Sequence, residues 1–171
     1  MNRGGIRSQF AGLPSWKQIR SVIDCQIAVD IAAPPERVWA VLLDVERWHE
    51  WTASITSIEL LDPAPLRAGS RARVIQPRLP AATWQVTRLA PDRGFFHWAV
   101  PNTGVTVTGC HHVEQSGSGT RATLWLEFTG ILAPFIAWLL HNQNRRYVTM
   151  EAEGLKRRSE QPDSPSATLS S

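Results

Sequence analysis

The sequence predicts an α+β fold. A curved, seven-stranded antiparallel sheet wraps around one long C-terminal helix, with two short helices between the first and second strands. Three observations carry this. Ile23, Cys25, Ile27, Val29 and Ile31 alternate with Asp24, Gln26, Ala28 and Asp30, the period of a half-buried strand. From Ser54 onward, short alternating runs are separated by Pro-, Gly-, Asn- and Asp-rich breaks, as in an antiparallel meander. Finally, Gly130 to Arg158 is the run long and periodic enough for a major helix, over about 131 to 157.

After the first strand, Ala33-Pro34-Pro35-Glu36 switches the period. Proline is tolerated in a first helical turn, and Glu36 suits the positive end of a helix. Val38, Leu42 and Val45 follow at helical spacing, and Asp44 is placed to cap a second short helix holding Trp48, with Trp51 a turn further on. These two helices are expected to plug one end of the sheet. Strands are then read around Ile58 and Leu60, Ala72 and Val74, Trp84 and Val86, Phe96 and Trp98, and Val105 and Val107. Arg71 and Arg73 fall out of phase with this core and read as a solvated edge.

The last hairpin has a predictable register. Taking Gly117-Ser118 as a two-residue turn, Ser116 faces Gly119 and Glu114 pairs with Arg121. Val113 then meets Ala122, His111 meets Leu124, Gly109 meets Leu126, and Val107 meets Phe128. A slip of one residue would turn the apolar set of the final strand away from the core. On the long helix, a projection at 100° per residue gathers Leu132, Ile136, Leu139, Met150 and Gly154 into one stripe, flanked by Phe135, Arg146 and Tyr147. His141, Arg145, Ala152 and Glu153 point elsewhere. The amide Gln143 in the middle of that stripe suggests an unfilled cavity between sheet and helix.

The chain of 171 residues fits one domain, residues 21–158, with a basic flexible extension over 1–20 and a disordered tail over 159–171. Arg3, Arg7, Lys17 and Arg20 all precede the first acidic residue, Asp24, so the body is nearly neutral and offers no extended phosphate-binding face. Nucleic acid is therefore not expected as a partner. Cys25 and Cys110 match no metal or redox spacing and read as reduced thiols of a cytoplasmic protein. No apolar run is long enough to span a bilayer, and no signal-peptide core is seen. Eight tryptophans against one tyrosine suggest either broad apolar walls or a Trp-rich core.

Four stretches, IAAPPERVWAVLLDVERWHEW at 31–51, AGSRARV at 68–74, SGSGTRATL at 116–124 and EAEGLKRR at 151–158, together with the element order, resemble the START-like (SRPBCC) helix-grip superfamily, nearest its polyketide cyclase/dehydrase branch. The resemblance covers about residues 22 to 158. It implies binding of a small apolar molecule between the sheet and the last helix; fold alone does not imply a reaction.

The inward phase of the strands and the buried stripe of the helix nominate Gln76, Trp84, Val86, Phe96, Trp98, Val107, His111, Leu124, Leu126, Phe135, Leu139, Gln143 and Tyr147 as ligand-binding residues. His111 reads either as a hydrogen-bonding or basic group in the cavity or as a core histidine satisfied by a neighbour. If the protein is an enzyme, His111 and Tyr147 are its candidate acid–base residues. His112 faces the opposite side, so no metal site is expected, and no cofactor motif is present. The first reading is a carrier of a lipid-like or aromatic, polyketide-like molecule. The alternative is a cyclase/dehydrase-like enzyme using pocket acid–base residues, and a third is a membrane-adsorbing lipid-transfer module, with weak peripheral membrane contact suggested by Trp138.

Overall fold

The computed structural model describes residues 21–161. The expected extension over 1–20 and most of the expected tail (162–171) lie outside them. Seven strands form one antiparallel sheet in the order β1-β7-β6-β5-β4-β3-β2. They are β1 (Ser21–Ile31), β2 (Ser57–Leu60), β3 (Arg71–Ile75), β4 (Ala82–Ala90), β5 (Phe95–Asn102), β6 (Val105–Ser116) and β7 (Gly119–Thr129). Between β1 and β2 come helix α1 (Pro35–Leu43) and a 3₁₀ helix (Val45–Glu50), and the chain closes with α2 (Ala133–Glu160). This is the expected α+β helix-grip architecture: only β1 leaves sequence order, crossing to pair with the last strand β7.

The β6–β7 hairpin has the predicted register at every pair, from Val107↔Phe128 through His111↔Leu124 to Ser116↔Gly119. Gly117 takes φ 58, which the tight turn demands and a residue without Cβ supplies. His111 is thereby aimed inward with Val113, and both are buried. Asp44 joins α1 to the 3₁₀ helix without the expected side-chain capping bond. Trp48 is instead fixed by its own ring, whose Nε1–H donates to Leu42 O at 3.0 Å.

Two further sequence expectations are corrected. In β1 the pairing shifts between Ile23 and Cys25, so Asp24 is the extra residue of a bulge. The bulge reverses the phase of the strand start. Ile23, expected on the inner face, is 59% exposed, while Val22 packs on the small cluster of Val105, Phe128, Ala133 and Ala137.

The second correction concerns α2. Its buried residues are Ala133, Ala137, Asn144, Val148, Ala152, Gly154, Leu155 and Ser159; of the projected stripe only Gly154 is among them, and Leu132, Ile136, Leu139 and Met150 lie roughly a third of a turn away from their centre. The reason is approach distance. The helix lies chiefly on β1 and then β7, so its sheet-facing side is built of small residues and the bulky ones are displaced to the flanks. Ala152, expected to point elsewhere, is fully buried. The helix also runs beyond the projected 157. Glu160 accepts Ala32 N–H at 2.7 Å and Lys156 Nζ–H at 2.7 Å, holding the last turn against the end of β1.

Candidate functional site

Inside the grip, the inner faces of β4, β5 and β6 and the 3₁₀ helix bring aromatic rings together. Trp48 stands 5.1 Å from Trp98, 6.3 Å from Phe96 and 5.5 Å from His111, while Trp84 and Trp51 extend the cluster outward. Phe96 stacks on the His111 imidazole at 5.1 Å. Of the sequence candidates, Val86, Phe96, Trp98 and Leu124 are buried in one core cluster, with Trp84 and Leu126 packed against it. Val107 belongs with Leu126 to the smaller cluster around Phe128. Where sequence reasoning expected ligand space beside Trp84, Trp98 and His111, the indole of Trp48 packs against Trp98 and His111, and Trp84 packs on Trp98.

His111 is fully engaged. Its Nδ1 lies 3.1 Å from Phe96 O and its Nε2 lies 2.6 Å from Glu151 Oε1 on α2. The carbonyl accepts only, so Nδ1 carries a proton, and the short contact at Nε2 needs one more between imidazole and carboxyl. The pair therefore holds a shared proton, either as imidazolium and carboxylate or as two neutral groups. The Glu151 side chain is largely but not wholly buried, and connects this proton to the helix flank. Sequence reasoning found no acid–base partner for His111. The available signal was the spacing Gln143, Tyr147, Glu151, a polar ladder at four-residue intervals on one side of α2.

The open space lies further along that ladder. A cleft of about 470 Å³ is lined by Ala53, Pro77, Arg78, Asn142, Gln143, Arg146, Tyr147 and Met150. The Tyr147 hydroxyl donates to Pro77 O, tying α2 to the β3–β4 turn, and Gln143 Nε2 donates weakly to the same hydroxyl at 3.4 Å. Gln76, expected among the ligand-binding residues, is not part of that lining; its Nε2–H donates to Ser54 O at 3.3 Å. Arg78 is held in the turn at φ 62 and, like Arg146, is exposed. Leu139, projected into the buried stripe, and Phe135, projected onto its flank, both expected to bind ligand, are instead exposed on the first turns of α2.

A second cleft, of about 410 Å³, opens on the β1 side of the helix between Val22, Ile23, Asp24, Pro134, Ala137, Trp138, His141 and Asn142. The β1 bulge turns the Asp24 carboxylate inward, where it accepts His141 Nδ1–H at 2.9 Å and Asn144 Nδ2–H at 2.8 Å. Its side chain is 4% exposed, and these two bonds replace the lost water. Among the described residues no group of three or more His, Cys, Asp or Glu side chains is placed to hold a metal ion. His111 and His112 project from opposite faces of β6: His111 stacks on Phe96 and His112 on Phe95.

Known proteins share this fold. The family model described as polyketide cyclase/dehydrase and lipid transport matches residues 22–160. No curated protein matches the chain in sequence. Among solved structures, the protein TTHA0849 from Thermus thermophilus superposes with a TM-score of 0.65 at 20% identity, over 82% of this chain and 97% of that one. The Zhui aromatase/cyclase from a Streptomyces species gives 0.62 at 20% identity, over 84% and 94%. Truncated norcoclaurine synthase from Thalictrum flavum gives 0.65 at 10% identity, over 81% and 93%. At these identities the likeness is one of fold.

Proposed function

The chain belongs to the polyketide cyclase/dehydrase and lipid transport family, and from that premise we propose that it binds and carries a small, largely apolar molecule with one polar end. The ligand lies between α2 and the β3–β4 side of the sheet. The observation that carries this reading is the cleft at Gln143 and Tyr147. Its size falls in the range of about 300–1,000 Å³ usual for small-molecule sites. Met150, Pro77 and Ala53 supply apolar wall, while Arg78, Arg146 and Gln143 place N–H donors around it. Guanidinium donors suit a carboxylate or a row of carbonyl oxygens. A fatty acyl chain or an aromatic, polyketide-like acid meets that description.

Carriage is favoured over catalysis because the best acid–base group, His111, is committed at both ring nitrogens. A second reading, a cyclase-like enzyme, is favoured by one specific observation: the His111–Glu151 pair holds a proton beside an aromatic wall, and one structural neighbour is named an aromatase/cyclase.

Native mass spectrometry of the purified protein, followed by solvent extraction, tests the first reading. An acidic or carbonyl-rich apolar compound should co-purify and bind about tenfold more weakly to Arg146→Gln. Unchanged affinity in that variant, or a fully polar ligand, overturns the proposal. His111→Gln separates carrier from enzyme. A carrier loses less than about tenfold in affinity. An enzyme keeps its binding but loses about 10² to 10⁴ in turnover.

A further inference from the structure

The first two turns of α2 and the segment leading into them expose a set of large apolar side chains. Ile131 is 82% exposed and Trp138 74%, with Leu132, Phe135 and Leu139 also exposed beside them. These are not scattered positions. Leu132, Phe135 and Leu139 follow at helical neighbour spacing, and the Phe135 and Trp138 rings lie 6.3 Å apart. Single exposed apolar residues are ordinary, but a contiguous patch that includes a tryptophan and a phenylalanine marks a contact surface. Core packing does not explain them, since the sheet-facing stripe of the same turns is Ala133 and Ala137.

The charges around the patch indicate what covers it. From Phe128 to Met150 the sequence has no Asp or Glu, while Arg145 and Arg146 follow about two turns after Trp138 and are exposed. Arg78 adds a third exposed guanidinium across the adjoining cleft from Arg146. The carboxylate in the cleft on the β1 side, Asp24, is buried and held by His141 and Asn144. Glu127 lies on the opposite face of the sheet from Leu126 and Phe128 and accepts the Ser21 hydroxyl. An apolar tip with a collar of arginines matches the bilayer interface of an anionic membrane: aromatic and aliphatic groups enter below the headgroups while guanidiniums meet lipid phosphates.

We infer that Ile131, Leu132, Phe135, Trp138 and Leu139 form a membrane-docking tip that inserts into the interface of anionic bilayers, with Arg145 and Arg146 on the lipid headgroups. The surface shares Arg146 with the proposed ligand cleft, but its apolar tip and Arg145 lie outside the cleft lining and vesicle binding is read without any ligand, so either can fail alone. No helix among the described residues is long and apolar enough to cross a membrane, so the contact is peripheral.

Flotation with phosphatidylcholine vesicles, with and without phosphatidylglycerol, tests the inference on the full chain. The wild type should float with the anionic vesicles, and less so as salt is raised. The double variant Phe135→Ser/Trp138→Ser, whose sites are exposed, should keep the wild-type circular dichroism and lose vesicle binding by about tenfold or more. Arg145→Gln should weaken binding to anionic vesicles alone. Absence of wild-type binding to both vesicles, or equal binding by wild type and double variant, overturns the inference. So does a wild-type dimer that stays out of the vesicles and that the double variant converts to a monomer, because a second copy then covers the patch.

Discussion

His111 Nε2 lies 2.6 Å from Glu151 Oε1, a contact that fastens the middle of α2 to the inner face of β6 across the grip. Breaking one half of a largely buried pair leaves the other half without its partner. His111→Leu should therefore destabilise the fold by about 2–3 kcal/mol in urea titration, below the value for a wholly buried ion pair because Glu151 keeps some solvent contact. The double variant His111→Leu/Glu151→Leu should recover part of that loss. Additive losses in the double-mutant cycle would show that the two groups are not coupled.

Gly154 is a helical glycine that an alanine cannot replace. A Cβ there would meet the backbone oxygen of Trp51 at 2.2 Å, where α2 crosses the end of the 3₁₀ segment. Helix propensity alone predicts a gain of about 1 kcal/mol for Gly→Ala. The clash with backbone should reverse the sign, and Gly154→Ala should lower the stability by about 1–3 kcal/mol. A raised melting temperature for this variant would show that the helix can move off Trp51 at no cost.

Both thiols should be inert in the native protein. Burial pushes Cys25 up to about 11, with the nearby Asp24 charge adding to it, and pushes Cys110 up to about 12, with Glu127 adding less. Neither should react with a disulfide reagent at mildly alkaline pH until the chain is unfolded, because thiolate is the reactive form. The same shifts fix an alkaline limit. These folded values lie above the ordinary thiol value of 9.0, so their contribution is intact below 9.0 and is lost as pH rises through about 11 and 12. Cys25→Ala should flatten the alkaline fall in stability. An unchanged slope would count against burial as its cause.

On the acid side, Asp62 is held at about 2 by the Arg71 guanidinium and by Arg71 N–H, which donates to its carboxylate at 2.7 Å. A depressed carboxyl supplies stability that is complete above its unfolded value of 3.8 and disappears as pH falls toward about 2. Asp62→Asn should therefore be less stable than wild type at neutral pH and converge with it in acid. Since the pair is exposed, added salt should narrow the difference. A gap between wild type and variant that stays constant down to about pH 2 would contradict this assignment.

Much of the scaffold was legible in the sequence because strand and turn signals are local. The alternation of β6 and β7, with Gly117 at the turn, was enough to set every pair of that hairpin, and His111 inward with it. The element order and the pairing of exposed Glu114 with Arg121 followed from the same period-two logic. What only the tertiary structure decided was how the long helix lies. A helical projection ranks side chains by hydrophobicity, yet the close approach of α2 to β1 rewards small side chains, so Ala133, Ala137 and Ala152 face inward and Phe135 and Leu139 do not. The bulge at Asp24 was likewise invisible, because one extra residue reverses strand phase without changing composition. Glu151 reached His111 only through that helix rotation, across forty residues of chain. Periodicity is a property of neighbours in sequence; the facing of a helix on a sheet is settled by the distance between backbones, which no local pattern records.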